Sequence, residues 1–289
     1  MVFNGNTSSA LLLNELKQRV QILSFVPEFS DILVGNDGPS ARYVRMKEKV
    51  AKEIGINFVS AELLGDVTTE DILEKIAELS SRPNMCGIIV QLPLPAHIDT
   101  ARVLDAVPLV LDVDGLSQAY TDLFYATDSF DGMLLMPTVG AVNKILNQAL
   151  YNNPTVTHIA VVGQGRLVGL PITHLLESQS KSLDLGWEIK TVDIHTPYPS
   201  RDYVLKEADI VITAVGSPGI ITGDQLKDGV IVIDAGTLEV GHVLLGDTDF
   251  KSVVEKSSFI TPTPGGVGPM TVACLMENVV ITAEKKQYE

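Results

Sequence analysis

Tyr43 and Lys47 are a phenol and an amine spaced four residues apart in a segment whose pattern predicts a helix. Residues four apart share one face of a helix, so the two side chains could handle protons together. Burial and neighbouring charges can favour the neutral form of a lysine, which suits acid and base chemistry. The alternative is a solvated helix face, because Arg42, Arg45 and Lys49 surround the pair, and on spacing alone that arrangement is the commoner one.

Polar side chains also follow two other segments. Gln91 stands near the end of a predicted buried strand, residues 86–92 (CGIIVQL), and sites in parallel sheets gather at the carboxyl ends of strands. From Gln91 alone, a hydrogen-bonded amide in a strand-to-loop turn is the commoner case. Asp112 and Asp114 in a DVDG sequence could bind the polar edge of a ring, or could close a turn before Gly115, as aspartates often do.

Three glycines, Gly163, Gly165 and Gly169, lie between a strand-like and a helix-like segment. Backbone N–H groups in such a loop can face a pyrophosphate. The spacing GxGxxxG is one residue longer than the standard dinucleotide fingerprint, so alone it does not distinguish a nucleotide loop from a plain turn. The flanking strand and helix favour the nucleotide loop.

Residues 261–271 (TPTPGGVGPMT) hold three glycines, three prolines and no charged residue. Such a mixture specifies an irregular but rigid backbone path, because proline fixes φ and glycine opens conformations closed to other residues. Rigidity of this kind indicates that something packs closely against the main chain. That could be a ligand, or the segment could be a tight crossing between two domains.

The composition narrows the class of partner. A formal charge of -15 repels nucleic acids and anionic membranes, so neither is expected as a partner. Cys86 and Cys274 are far apart among apolar neighbours, which predicts buried thiols in a reducing compartment and no disulfide. The N-terminal sequence has no basic region or long apolar run, so we expect a cytoplasmic protein. The five histidines show no ligand spacing, so no metal site is predicted.

The elements that must position these residues alternate between strand and helix patterns. At 289 residues the chain exceeds the usual size of one core, which predicts two lobes. Predicted helices cover 11–26 (after Ser8 or Ser9, stopped by Pro27), 40–54 (N-cap Ser40, stopped by Gly55), 69–80 (N-cap Thr68 or Thr69) and 138–149. Predicted strand-like segments cover 31–35, 56–63, 86–92, 158–163, 188–194, 209–215 and 229–234. This order predicts an α/β fold whose second lobe is a doubly wound parallel sheet.

Taken together, these segments resemble the bifunctional methylenetetrahydrofolate dehydrogenase/cyclohydrolase family, in order and spacing, across nearly the whole chain. The matching segments are Ser40 with Tyr43-Val44 and Lys47, VQLPLP at 90–95, DVDGL at 112–116, the glycine loop with Val168-Gly169 and Pro171, VIDAG at 232–236, Gly246-Asp247, and PGGVGPMT at 264–271.

The resemblance implies two lobes and two reactions in one cleft. Residues 1–135 with 268–289 would form an α/β catalytic (folate) lobe, and residues 136–267 a Rossmann-like dinucleotide lobe through which a homodimer forms. The dehydrogenase passes hydride from methylenetetrahydrofolate to a nicotinamide. The cyclohydrolase then adds water to the methenyl cation and opens it to the formyl product. We therefore expect an oxidoreductase and hydrolase of folate one-carbon metabolism.

The resemblance also implies roles for individual residues. Lys47 looks like the central acid/base group, Tyr43 shapes the site, Gln91 tunes the lysine, and Asp114 holds the pterin edge. The expected substrate-binding residues are Ser40, Tyr43, Gln91, Leu92, Asp114, Pro264, Gly265 and Gly266. Hydride loss leaves a cation that a fully charged lysine would repel, so we expect a neutral amine or one that works through water.

For the dinucleotide, the resemblance implies NADP, held by Gly163, Gln164, Gly165, Arg166, His195, Thr196 and Thr237. The family often has arginine and serine after the first glycine, where this chain has Gln164 and Gly165. Asp193 lies near His195 and suits a ribose hydroxyl better than a phosphate, which leaves NAD as the other possibility.

The chain departs from the family pattern elsewhere too. Residues 135–138 (LMPT) stand for Pro-Cys-Thr-Pro, 236–238 (GTL) for Gly-Ile-Asn, and Leu111 for the lysine of KDVDG. Three alternatives follow: a non-catalytic folate- or dinucleotide-binding or interaction protein of the same fold, a dehydrogenase-only NAD-dependent variant, and a dehydrogenase for an amino or hydroxy acid. The last would explain the doubly wound lobe but not PGGVGPMT together with YVRMK.

Overall fold

A computed structural model describes residues 1–35, 38–151, 156–197, 199–241 and 243–288. The α-helices are α1 (Gly5–Gln21), α2 (Gly38–Ile54), α3 (Thr69–Ser80), α4 (Thr100–Asp105), α5 (Gln118–Ala126), α6 (Pro137–Tyr151), α7 (Gly169–Ser182), α8 (Ser200–Glu207), α9 (Phe250–Val254) and α10 (Val267–Lys286). The β-strands are β1 (Glu28–Val34), β2 (Asn57–Leu63), β3 (Met85–Val90), β4 (His158–Val162), β5 (Glu188–Val192), β6 (Ile210–Thr213), β7 (Val230–Asp234), β8 (Leu238–Val240), β9 (Val243–Leu245) and β10 (Ser257–Ile260). Over these ranges, no helix has the length and apolar character needed to cross a membrane.

The chain divides into two compact units. Unit 1 contains Met1–Ser9, Asp128–Asp131 and Thr138–Thr271, and unit 2 contains Ala10–Thr127, Gly132–Pro137 and Val272–Glu289. The N-terminal residues belong to unit 1, whereas the sequence analysis places them in the catalytic lobe. The reason is backbone pairing: Phe3 N donates to Ile260 O at 2.8 Å, and Gly5 N donates to Gly265 O at 2.8 Å.

Unit 2 is built on a parallel three-stranded sheet in the order β2-β1-β3. All residues of the central strand β1 are buried. Because side chains alternate between the two faces of a strand, Phe29 and Leu33 pack into one cluster with α2 and α10, while Ile32 and Val34 pack into another with α3 and α4. Asp31 therefore shares the face of Phe29 and Leu33, which α2 covers.

Unit 1 is built on a parallel five-stranded sheet in the order β10-β7-β6-β4-β5. The chain runs from β4 to β5 on one side and then returns to β6 on the other, so the winding direction reverses between β4 and β6. Ligands of doubly wound sheets bind outside the carboxyl ends of the strands at such a reversal. The predicted α/β fold class, with a doubly wound second lobe, is confirmed.

Two predicted helix boundaries are confirmed. Helix α3 spans the predicted residues, and Thr68 is its N-cap, forming a capping box with Asp71. Gly55 ends α2 with a φ of +94°. Its N–H donates to Lys52 O at 3.2 Å and Ile56 N donates to Ala51 O at 2.9 Å, the hydrogen-bond pair of a Schellman motif.

Two predicted caps are wrong. Helix α1 begins at Gly5 rather than after Ser8 or Ser9, because Asn4 Oδ1 accepts from Thr7 N at 3.0 Å and caps the helix earlier. Helix α2 begins at Gly38, so Ser40 lies inside it; Pro39 is compatible with this start, since proline is tolerated in the first turn of a helix.

The α1 helix also ends before the predicted stop at Pro27. It ends at Gln21, where Ile22 N donates to Arg19 O at 3.4 Å and Leu23 N donates to Val20 O at 3.2 Å. These shorter-range bonds tighten the last turn and close the helix.

Candidate active site

Lys47 is held inside unit 2 rather than in solvent. Its side chain is 12% exposed, its Nζ donates to Gln91 Oε1 at 2.9 Å, and the same atom lies 2.6 Å from Asp31 Oδ2. The buried residue Val44 precedes it by three positions on α2, so Lys47 shares the helix face that packs on the sheet. The solvated-face alternative is therefore wrong for Lys47, and the predicted proximity of Lys47 and Gln91 is present in the structure.

Gln91 directly follows β3, and its orientation is fixed at both ends. Its backbone N donates to Ile32 O at 2.9 Å, which extends the pairing of β3 with β1 by one residue. Its side-chain Nε2 donates to Leu92 O at 2.8 Å, so Oε1 is the atom that faces Lys47. The amide thus presents an acceptor to the ammonium.

Asp31 is a member of this group that sequence reasoning missed. It lies in the centre of β1, its carboxylate is fully buried, and Lys47 provides its ion-pair partner. Burial raises the pKa of Asp31, while the charge of Lys47 acts in the opposite direction. The signal was an aspartate within the apolar run DILVG, but the run alone does not reveal which helix covers it.

The two aspartates of the DVDG turn have different environments. Asp112 closes the turn: Oδ1 accepts from Gly115 N at 2.8 Å and Leu116 N at 3.3 Å, and Oδ2 accepts from Ser117 N at 2.9 Å. The turn alternative therefore holds for Asp112.

Asp114 remains a partly exposed carboxylate near the lysine. Desolvation raises the pKa of Asp114 to about 6, the charge of Lys47 opposes this rise, and the charges of Asp112 and Asp31 add to it. Asp114 is therefore within electrostatic reach of both Lys47 and Asp31.

The other predicted folate-binding residues of unit 2 lie next to these groups along the chain. Tyr43 is one helical turn before Lys47, and it is 41% exposed. Ser40 is buried in the first turn of α2. Leu92 is partly buried and precedes Pro93 through a cis peptide bond.

The predicted residues Pro264, Gly265 and Gly266 lie in unit 1, where the N-terminus of the chain packs on them. A Cβ atom added to Gly5 would lie 1.9 Å from Gly266 O, and one added to Gly266 would lie 2.4 Å from Pro262 O. Gly265 has a φ of +96°. The rigid path is thus explained in part by close packing within the protein itself.

The three glycines after β4 meet three separate requirements of a dinucleotide loop. Gly163 turns the chain with a φ of +91°. A Cβ on Gly169 would lie 1.8 Å from Gly163 O, so the start of α7 packs directly on the loop. A Cβ on Gly165 would meet nothing within 4 Å, so the backbone there is open to a ligand.

The remaining predicted cofactor residues differ in how free their side chains are. Gln164 Nε2 donates to Gly163 O at 3.1 Å and approaches Thr173 Oγ1 at 3.4 Å, so this side chain folds back onto its own loop and α7. The side chains of Arg166 and Thr237 are exposed. The backbone of Thr237 lies close to Gly216, because a Cβ atom added to Gly216 would be 3.7 Å from Thr237 O.

Asp193, His195 and Thr196 form a compact turn after β5. Asp193 Oδ1 accepts from His195 N at 2.8 Å and from Thr196 Oγ1 at 3.1 Å. The first of these hydrogen bonds is the main cause that lowers the pKa of Asp193, so the carboxylate is ionised. Both of these hydrogen bonds are accepted by Oδ1 rather than by Oδ2.

Two buried aspartates shape the loops at the carboxyl edge of the unit 1 sheet; both lie in segments that resemble the family, but the sequence analysis gave neither of them a role. Asp247 accepts from Thr213 Oγ1 at 2.7 Å, Val215 N at 2.7 Å and Ser217 N at 2.8 Å. Asp234 accepts from Gly236 N at 3.0 Å, Asp247 N at 3.1 Å and Thr248 N at 2.9 Å. They hold the loops after β6 and β7.

The sequence and the fold match known proteins over the whole chain. Residues 3–114 match the catalytic domain of tetrahydrofolate dehydrogenase/cyclohydrolase, and residues 137–287 match its NAD(P)-binding domain. The bifunctional protein FolD of a Nitratiruptor species is 35% identical, and the alignment covers 99% of each chain.

Solved structures agree with this. The bifunctional FolD methylenetetrahydrofolate dehydrogenase/cyclohydrolase from Campylobacter jejuni has a TM-score of 0.88 and 32% identity over 99% of both chains. The Trypanosoma brucei FolD, complexed with NADP cofactor and inhibitor, has a TM-score of 0.90 and 30% identity over 99% of this chain and 97% of that chain. With both domains and the full length matched, the chain belongs to the tetrahydrofolate dehydrogenase/cyclohydrolase family.

Proposed function

We propose that Lys47 is the acid/base group of two successive reactions on a folate-bound carbon. The chain is a methylenetetrahydrofolate dehydrogenase and methenyltetrahydrofolate cyclohydrolase of one-carbon metabolism. The observation that carries the role of Lys47 is its placement: a largely buried amine held between Gln91 Oε1 and Asp31 Oδ2. The non-catalytic alternative and the alternative of an amino or hydroxy acid dehydrogenase are not favoured.

The geometry leaves one N–H direction of Lys47 for chemistry. An ammonium has three N–H groups, and the described neighbours Gln91 and Asp31 account for two of them. The third can donate to a water or to the folate. In the cyclohydrolase step, water attacks the methenyl carbon, a proton leaves that water, and another reaches the ring nitrogen that departs. Lys47 can transfer these protons directly or through water.

Substrate binding is assigned to the groups around the lysine. Asp114 would accept hydrogen bonds from the pterin edge, since a partly buried carboxylate has few competing donors. Gln91 and Leu92 would line the site beside it. Further contacts are assigned to Ser40, Tyr43, Pro264, Gly265 and Gly266.

We assign the folate chemistry to residues 1–135 with 268–289, and the dinucleotide to residues 136–267. The packing of residues 1–9 with unit 1 modifies this assignment at the N-terminus. The succession of strand, glycine loop and helix from β4 to α7 supports the second part of it.

The loop after β4 fits a dinucleotide. Gly165 leaves room for a pyrophosphate against the backbone, and α7 begins directly after the loop, so its N-terminus favours negative charge. Gly163, Gln164, Gly165, Arg166, His195, Thr196 and Thr237 would hold the group. When bound, NAD(P) supplies the acceptor for the hydride. Of these side chains, Gln164 acts mainly by supporting the loop.

Local charge favours NAD over NADP. Asp193 follows β5, the strand next to β4, where a carboxylate suits two ribose hydroxyls and repels a 2′-phosphate. Its Oδ2 is not used by the described turn. Arg166 is the nearby cation of the loop that would act in the opposite direction.

A single assay tests the function. Purified protein with methylenetetrahydrofolate and either NAD or NADP is followed at the methenyl absorbance. We expect activity with both dinucleotides and a higher kcat/KM with NAD, since the Asp193 carboxylate repels the 2′-phosphate of NADP. An equal or higher value with NADP would contradict the role given to Asp193, and no reaction with either would contradict the function.

The role of Lys47 is tested by Lys47→Met. We expect the cyclohydrolase kcat to fall by about 100-fold or more, as for removal of a general acid or base. The variant also leaves the Asp31 carboxylate buried without a cation, so a loss of stability is expected. The Asp31→Asn/Lys47→Met double variant removes that penalty and serves as the folded control. Unchanged hydrolysis in either variant would refute the assignment.

We propose a homodimer in a reducing cytoplasm. Cys86 and Cys274 are both buried thiols outside any disulfide, which suits a reducing compartment. The β8–β9 hairpin of unit 1 exposes Leu238, Val240, Val243 and Leu245. An exposed apolar face of this kind supports association with a second copy of the chain.

A further inference from the structure

Asp31 differs from the other buried aspartates described above. Asp112, Asp234 and Asp247 each accept several hydrogen bonds from backbone N–H groups and thereby hold loops in place. Within the described ranges, neither oxygen of Asp31 accepts a well-formed hydrogen bond, and its contact is the 2.6 Å ion pair with Lys47. Unlike those aspartates, Asp31 does not hold a backbone loop in place.

The position of Asp31 is unfavourable for a merely structural carboxylate. It lies in the central strand of the sheet, opposite Ser60 of β2 and Ile89 of β3, and it is 1% exposed. Isolated buried charges are strongly disfavoured, and a buried ion pair contributes little net stability compared with apolar residues of similar size. An apolar residue would thus serve the strand at least as well, which points to a role through Lys47.

We propose that Asp31 is a positioning residue for both reactions: its carboxylate fixes the amine of Lys47 beside Gln91 and cancels its charge where the methenyl cation forms. This inference rests on the proposed role of Lys47. A protonated lysine alone would repel the cationic product of hydride loss, whereas a lysine paired with a buried carboxylate presents no net charge to it. The site can therefore keep a proton donor next to a cation.

The groups around Lys47 come from several elements. The charged and polar groups that face Lys47 are Asp31 from β1, Gln91 from the end of β3, and Asp114 from the turn after residue 111. Tyr43 lies one turn away on α2 itself, and Asp112 acts on the same turn as Asp114. Of these groups, Asp31 is the one in direct ionic contact with the amine.

The test is the Asp31→Asn variant of the full-length enzyme, assayed for both reactions from about pH 5.5 to about pH 9. We expect kcat of each reaction to fall by about tenfold with KM for the folate changed less than about twofold, because the lysine acts on the reacting carbon. The cyclohydrolase pH–rate profile, corrected for uncatalysed hydrolysis, should differ from that of the wild type, because a charge in direct contact with the acid/base group has been removed.

Two further variants keep the test decisive. Asp31→Val supplies an apolar strand residue and covers the case in which the asparagine variant folds poorly. Glu28→Gln is the matched control: Glu28 lies on the same strand and pairs with Arg82 at 2.6 Å, away from the lysine. We expect this control to change stability while kcat and the pH profile stay as in the wild type.

The outcomes separate this inference from the function. If Asp31→Asn and Asp31→Val keep wild-type kcat and pH profile while Lys47→Met is inactive, the role of Asp31 is wrong and that of Lys47 stands. If Lys47→Met is active, the proposed function of Lys47 itself fails. If Asp31→Asn lowers kcat but leaves the pH profile unmoved, the carboxylate is structural and the inference is overturned.

Discussion

Three aspartates at or next to the proposed site, Asp31, Asp112 and Asp114, have different partners. Asp112 is saturated by backbone N–H groups, Asp31 is paired with Lys47, and Asp114 has its pKa raised to about 6 by desolvation. Groups whose environments separate their protonation can take separate roles in one site. We assign turn formation to Asp112, control of Lys47 to Asp31, and folate binding to Asp114.

Asp114 provides a prediction about pH. Its pKa is raised from 3.8 to about 6, so it gains a proton as the pH falls through about 6 and then loses its capacity to accept from the pterin edge. We expect KM for the folate to rise below about pH 6 in the wild type. In Asp114→Asn, KM should be raised by about tenfold near neutral pH and vary little with pH, as expected for loss of a charge-assisted hydrogen bond.

The raised pKa of Asp114 also makes the stability of the protein depend on pH. Because the pKa of Asp114 in the folded protein lies above its ordinary value, the folded protein binds the Asp114 proton more tightly than the unfolded chain does. This proton therefore contributes to the free energy of unfolding fully below about pH 4, and the contribution is lost as the pH rises through about 6. Asp114→Asn should therefore gain stability relative to the wild type at neutral pH. Urea unfolding at several pH values checks this, and a wild type that is relatively more stable at neutral pH would contradict the raised pKa.

Residue types and spacing raised Lys47, Gln91 and Asp114 as candidates and the family resemblance gave them roles, but neither pointed to Asp31. A lysine on a helix gives no sign of burial until the strand beneath that helix is known. Asp31 belongs to a different element, separated by a loop, and its alternation with Phe29 and Leu33 becomes meaningful only when α2 is seen to cover that face. The contact is a property of tertiary packing, which local pattern does not contain.

At the scale of elements, the loop from β4 to α7 assigns a different task to each glycine. A Cβ at Gly169 would collide with Gly163 O at 1.8 Å, whereas one at Gly165 would meet nothing within 4 Å. We therefore assign packing to Gly169 and the approach of the dinucleotide to Gly165.

Because the two glycines have different roles, we expect different effects from replacing each of them with alanine. Gly169→Ala should lower the melting temperature and raise KM for the dinucleotide by about tenfold or more, because the loop must shift to relieve the collision. Gly165→Ala should leave the melting temperature unchanged and raise KM alone. Cyclohydrolase activity, measured with the methenyl substrate added directly, should stay within about twofold in both, since the lysine is in unit 2. A Gly169→Ala protein with wild-type stability and KM would contradict the assignment.

Element prediction succeeded where the local signal was complete. The capping box of α3 and the glycine stop of α2 are short-range features, and both are confirmed. It failed at the start of α1, where Asn4 caps the helix before Ser8 and Ser9, and where Phe3 and Gly5 pair with Ile260 and Gly265 far along the sequence. The short helices α4, α5, α8 and α9 and the β8–β9 hairpin were not predicted, because few residues give too little periodicity.

At the scale of the whole molecule, both units place their functional groups by the same rule. Gln91 follows β3 of one parallel sheet, while Gly163 and Asp193 follow β4 and β5 of the other. Each group stands at the carboxyl end of a parallel strand, where helix starts and loops leave room for ligands. The α/β pattern predicted this placement, since alternation of strand and helix produces parallel sheets.

The proposed homodimer has a defined candidate surface on unit 1. Leu238 pairs with Leu245 and Val240 with Val243, so four apolar side chains share one exposed face of the hairpin. Cross-strand pairs of this kind form a flat apolar patch that a second copy can cover through two-fold symmetry.

Association must overcome the charge of the chain, and this gives the last prediction. Each copy carries a formal charge of -15, so two copies repel each other and salt should strengthen the dimer by screening that repulsion. Val240→Glu adds a negative charge to the patch at the turn end of the hairpin, where Val240 is 53% exposed, and we expect a monomer of unchanged stability. Sedimentation velocity at low and high salt checks both statements, with Tyr151→Glu, exposed outside the hairpin, as the control. A wild type that is monomeric at every concentration would rule out the dimer. A dimer that survives Val240→Glu would place the interface elsewhere, because two glutamates buried at a two-fold contact are strongly unfavourable.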